Sequence, residues 1–221
     1  MSLPPSAGPS GPPASTDDGS LASPLGRAAT IMLAVLLLLW GVELINAATG
    51  RELSLAGGIW PREPDSLIDI ATSPFLHGNL EHLAGNAMAL FSLGLIAALA
   101  GLKRFTLVTL TIIVLGGFGI WLFSPTDHLT VGASGVVFGY FGYLLVRGLI
   151  DRRPVDLVVS AGVALAYGYV MWTSVGFGVT GISWQGHVSG FVGGLVAALV
   201  FRDRRRRPAP EPSTLPPSLS G

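Results

Sequence analysis

Apolar runs of membrane length are the feature that most limits what this chain can become. Residues 28–48 are interrupted by one acidic residue, Glu43, and further runs cover roughly 80–100, 105–123, 132–149, 155–175 and 184–201. A helix needs about 20 predominantly apolar residues to cross a hydrocarbon layer of roughly 30 Å. Only helices or closed barrels satisfy their own backbone polar groups there. Charged residues are 12% of the chain, against roughly 25% in soluble domains. The expectation is an all-α, polytopic membrane protein of six spans. Residues 1–26 are rich in Pro, Ser, Gly and Ala and read as a disordered tail. Residues 27–201 form the spanning core, and 202–221 an arginine-rich and then Pro/Ser-rich tail. Asn46-Ala47-Ala48 resembles a leader-peptide cleavage site. The length of the apolar run and the polar stretch before it favour a retained span.

Lys and Arg set the orientation of such a chain. In a six-span arrangement Arg27, Lys103, Arg104, Arg147, Arg152, Arg153 and the five arginines after Phe201 share one side, eleven in all, and only Arg51 and Arg62 fall on the other. Both termini are therefore expected in the cytoplasm, with the protein in the plasma membrane. Beside a span, the terminal arginine run reads as a lipid-headgroup anchor and not as a nucleic-acid patch. Cysteine is absent, which removes disulfides, thiolate metal sites and a cysteine nucleophile from consideration.

With this topology the second, fourth and sixth spans begin at the outer face and carry His82 and Asn86, Ser134, and His187 at similar depth. Polar groups in a membrane are costly and usually face the bundle interior or a water-filled cavity. His82 and Asn86 are four apart and share a helical face, as do Ser134 and Phe138. Gly186, Gly190 and Gly194 repeat at four-residue intervals, as do Gly135 and Gly139. Such small-residue stripes let helices approach closely. If the two stripes face each other, Ser134 and His187 come within reach, the minimum for activating a hydroxyl as a nucleophile.

His77-x4-His82-x3-Asn86, then Gly132-Ala133-Ser134-Gly135, then Gly186-His187-Val188-Ser189-Gly190 resemble, in order and spacing, the motifs of the rhomboid intramembrane serine proteases. The resemblance covers residues 28–201 and implies a six-helix rhomboid-like bundle. It implies a Ser–His dyad, with Ser134 as nucleophile and His187 as general base, and no cofactor or metal. It also implies that Asn86 and His82 stabilise the oxyanion together with the backbone N–H of the serine, with Gly132 shaping that loop. Phe138 stands where the family commonly has a tyrosine packed on the histidine, and Gly135 and Gly190 support the helix contact. The implied substrates are single-span transmembrane proteins, cleaved near the outer face, with membrane lipid as the surrounding partner. The chain departs from the family where many members carry a Trp-Arg pair in the first outer loop: here Trp60 and Arg62 are separated by Pro61. Glu43, which the motifs leave unexplained, either hydrogen-bonds to the first loop or reaches the membrane interface, and the second reading is favoured. The glycine-containing segment 173–183 reads as a lid. Two other classes compete: an inactive rhomboid-like protein that binds transmembrane clients, and a transporter or channel. The second predicts polar residues continuing to the inner face, where these spans are almost purely apolar.

Overall fold

The computed structural model describes residues 23–179 and 181–202; both terminal tails anticipated from composition lie essentially outside this range. The helices are α1 (Pro24–Ala48), α2 (Glu52–Gly57), α3 (Leu80–Ala98), α4 (Leu102–Phe123), α5 (Ser134–Asp151), α6 (Pro154–Thr173) and α7 (Trp184–Val200). Two 3₁₀ segments, Pro64–Ile70 and Ser73–Phe75, lie between α2 and α3. Among the described residues there is no strand, only one isolated antiparallel bridge between Ile59 and Thr130. Start and stop signals are local. Ser23 caps α1 by accepting from the Gly26 N–H at 2.9 Å, and Asn79 caps α3 by accepting from the His82 N–H at 2.7 Å.

Four helices, α1, α3, α4 and α6, are long and apolar enough to cross a membrane. The other two long helices differ from the sequence expectation for a physical reason. In α5 residues 136–144 are buried without a break, because α3, α4, α6 and α7 all pack on it. A helix surrounded by protein does not need a lipid-compatible surface, so α5 carries glycines and tyrosines and ends in Arg147 and Asp151. α7, with 17 residues, packs chiefly against α5 and α4.

Hydroxyl pairs tie the helices together where lipid offers no hydrophobic drive. Tyr140 meets Thr109 at 2.7 Å and Tyr167 meets Ser92 at 2.5 Å. Ser160 donates to the Leu144 carbonyl at 2.7 Å and accepts from the Gly148 N–H at 3.1 Å, fixing α6 against α5. Each such bond contributes roughly 0.6 kcal/mol in a membrane.

Candidate active site

The loop entering α5 is held from several sides. Its Thr130 exchanges backbone hydrogen bonds with Ile59 at 2.9 and 3.0 Å. Gly132 adopts φ +128°, and a Cβ there would lie 2.8 Å from the His82 ring, so both its dihedral and its space call for glycine. The Gly132 N–H donates to the Ser73 carbonyl at 3.0 Å, and the Ala133 N–H donates to His77 Nε2 at 3.3 Å. Ala133 then caps α5, its carbonyl accepting from Val136 and Val137. Ser134 is the first helical residue, so its own N–H belongs to the donors that a helix start leaves without an intrahelical acceptor. The positive end of the helix dipole sits at the same place.

His77 is fully buried. Its Nε2 accepts from Ala133, which puts the ring proton on Nδ1. Burial, reinforced by the neighbouring His82, lowers its pKa from 6.5 to about 4, so the ring is neutral near pH 7. The His77 carbonyl accepts from three side chains: Asn46 Nδ2 at 3.2 Å, Ser54 Oγ at 3.2 Å and Arg51 Nη1 at 3.3 Å. Arg51 also pairs with Glu43 Oε1 at 2.5 Å, and Asn46 and Ser54 are joined by two further bonds at 2.7 and 3.1 Å. Glu43 and Asn46 are both 0% exposed. Of the two readings of Glu43, the favoured one, a carboxylate at the membrane interface, is corrected and the first-loop partner holds: a carboxylate inside the bundle must be paired, and it pairs with Arg51. This Glu43–Arg51–Asn46–Ser54 network, absent from the motifs, links the end of α1 to the loop before Ser134 through His77.

His187 is buried near the start of α7. Ser183 caps that helix, accepting from the Gly186 N–H at 3.2 Å through Oγ and from the His187 N–H at 3.2 Å through its carbonyl. The imidazole stacks on Phe138, with ring centroids 4.3 Å apart and planes 9° from parallel. Its Nδ1 lies 3.1 Å from the Val175 carbonyl. A carbonyl only accepts, so Nδ1 carries the proton and Nε2 keeps the lone pair. Phe138 lies one turn after Ser134, so the stacked ring holds His187 against the α5 face that carries the hydroxyl.

The glycine stripes of α5 and α7 face each other. A Cβ on Gly190 would fall on the Gly135 carbonyl oxygen, and one on Gly194 on that of Gly139. A Cβ on Gly135 would lie 3.3 Å from the Gly186 carbonyl oxygen. Ser134 and His187 are the chain neighbours of Gly135 and Gly186, and so flank the first contact of this seam.

Ser134, His187, His82, Asn86 and Gly132 all line one cavity of about 990 Å³. The side-chain amide nitrogen of Asn86 is buried and has no acceptor. The segment after α6 forms another wall through Ser174, Gly178 and Ser183, and also supplies the Val175 carbonyl to His187. A hydroxyl, a ring whose Nε2 keeps its lone pair, a buried amide donor and a helix start thus line one cavity, and these are kinds of group that acyl transfer uses. Among the described residues, no group of three or more His, Asp or Glu side chains is placed to hold a metal ion. The first loop packs through Arg62: its N–H donates to Trp121 O at 3.0 Å and its Nη1 to Leu122 O at 3.0 Å, while Trp121 Nε1 returns a bond to Glu63 O at 2.9 Å.

Comparison with known proteins agrees with this architecture. The Rhomboid domain family matches residues 64–204. An uncharacterized protein of Mycobacterium tuberculosis is 40% identical over 187 residues, covering 80% of this chain and 77% of that protein. An uncharacterized protein of Mycobacterium leprae is 39% identical over 204 residues, covering 85% and 78%. The rhomboid protease GluP of Bacillus subtilis is 32% identical over 158 residues, covering 71% of this chain and 29% of GluP. The chain is a multi-pass membrane protein that belongs to the rhomboid family of intramembrane proteases.

Proposed function

We propose that this protein is an intramembrane serine endopeptidase working through a Ser134–His187 dyad on single-span transmembrane substrates. His187 Nε2 takes the Ser134 proton as Oγ attacks the scissile carbonyl carbon. The resulting oxyanion accepts hydrogen bonds from the Ser134 N–H and the Asn86 amide, with His82 beside them and Gly132 giving the loop its shape. Collapse breaks the C–N bond as His187 returns the proton to the leaving amine. Water, deprotonated by the same imidazole, then releases the acyl group. The Val175 carbonyl takes the place that a carboxylate holds in a triad: it fixes the tautomer and orientation of the ring without adding a charge.

A substrate helix hides its carbonyls in internal hydrogen bonds, so it must unwind locally before attack. The 990 Å³ cavity offers room for that and for water. The distribution of Lys and Arg supports a plasma-membrane protein of six spans over residues 27–201, both termini cytoplasmic and the cavity end outward.

The observation that supports this reading most is that Ser134 and His187 flank the first backbone contact of the glycine seam and open into one cavity. Ser134→Ala and His187→Ala are each expected to abolish cleavage of a reporter transmembrane substrate while unfolding at the wild-type temperature. Cleavage retained by Ser134→Ala overturns the reading.

A further inference from the structure

The opposite end of the bundle holds a second cavity, of about 630 Å³, whose lining includes Lys103, Arg104, Arg147, Arg153 and Arg202 and, among the described residues, no acidic one. These cations come from three separate places: the start of α4, the last turns of α5 with the turn that follows, and the residues just beyond α7. A generic surplus of Lys and Arg at a membrane face does not require such convergence.

Two of the cations are built into the wall. Arg104 pairs with Asp151 at 3.1 Å, and Arg147 with Asp156 at 3.2 Å and Asp151 at 3.5 Å. Both guanidinium groups also lie about 6 Å from the Tyr143 ring centre, at 6.0 and 5.9 Å. The two carboxylates hold the arginines in place and offset part of their charge, while the five basic side chains of the lining outnumber them. Lys103 and Arg202 form an exposed rim.

The cavity is not purely polar. Leu99, Leu107 and Phe201 complete its walls. From Leu107 an apolar strip continues along one face of α4 through Leu110, Val114 and Phe118, all exposed and spaced to lie in register. A cationic cup opening onto an apolar strip matches an amphiphile with a phosphate head and a hydrocarbon tail, and a free anion would leave the strip unused.

We propose that this cavity binds the phosphate headgroup of an anionic glycerophospholipid, with an acyl chain along the Leu107–Phe118 face of α4. The site is distinct from the Ser134 cavity and does not depend on proteolysis, so its test reads binding alone. The protein, purified in phosphatidylcholine nanodiscs, is titrated with phosphatidylglycerol, and the thermal unfolding midpoint and the lipid retained in native mass spectra are followed. Wild type is expected to gain stability saturably, retaining one phosphatidylglycerol, with no response to added phosphatidylcholine or inorganic phosphate. The Lys103→Gln/Arg202→Gln protein is expected to need about thirtyfold more phosphatidylglycerol, taking each basic group near an anionic headgroup at its usual strength. Arg202→Glu alone, at an exposed position, shifts the titration in the same direction. Equal titrations for wild type and both variants would overturn the proposal, leaving only non-specific lipid around the bundle. A response to inorganic phosphate equal to that for the lipid would overturn it as well.

Discussion

In the proposed mechanism, the chemistry near Ser134 depends on single polar atoms of His77 and Asn86. Asn86 Nδ2 is a buried donor with nothing to bond, a state that costs free energy unless an acceptor arrives during the reaction. Asn86→Ala is expected to lower the turnover number roughly 10²–10³-fold with little change in stability, as for loss of one oxyanion donor. An unchanged rate in steady-state cleavage reassigns Asn86 to helix packing. His77 gives a pH signature. Folded, its ring resists protonation down to about pH 4, whereas in the unfolded chain it titrates near 6.5. Between these values the unfolded chain binds more protons. The stability present above pH 6.5 is therefore lost as pH falls toward 4, by about 3 kcal/mol for the full shift. His77→Gln should remove close to one proton from the pH dependence of unfolding in that window. An unaltered slope would contradict the assignment. For Glu43 the sequence leaves the first loop and the membrane interface both open, and favours the interface. Its partner Arg51 lies eight residues on, beyond the end of α1, where the chain reverses through positive φ at Gly50 and Arg51. Helical periodicity carries no information about such a reversal.

At the scale of elements, the seam between α5 and α7 was legible, because four-residue glycine spacing has one common physical meaning in a membrane. Which long helices would face lipid was less so. α5 has a mixed composition because it is wrapped by its neighbours, and only tertiary packing reveals that. The glycines are not equivalent. A methyl group on Gly190 meets the backbone carbonyl of Gly135, which cannot rotate away, whereas one on Gly168 meets nothing within 4 Å. Gly190→Ala is expected to destabilise the protein by about 1–3 kcal/mol through overpacking. Gly168→Ala should be neutral or stabilising by up to about 1 kcal/mol, from helix propensity. Thermal unfolding of the two variants side by side checks this, and equal midpoints would contradict the seam.

Across the whole molecule the two ends of the bundle have separate characters. One gathers histidines, hydroxyls, an amide and Glu81 around a cavity that can admit water; the other gathers cations. The N-terminal ends of α3, α5 and α7 meet at the first. The sequence motifs named His82, Asn86, Ser134 and His187, but not the Val175 carbonyl that meets the His187 ring. A backbone acceptor leaves no trace in residue identity. On the proposed reading, Ser134 is the serine that the His187 imidazole activates. The most direct measurement is labelling of the purified protein with a fluorophosphonate, followed by peptide mapping. Modification at Ser134 in wild type, absent from Ser134→Ala and strongly reduced in His187→Ala, is the expected result. Undiminished labelling of either variant, or modification at a different serine, would contradict it.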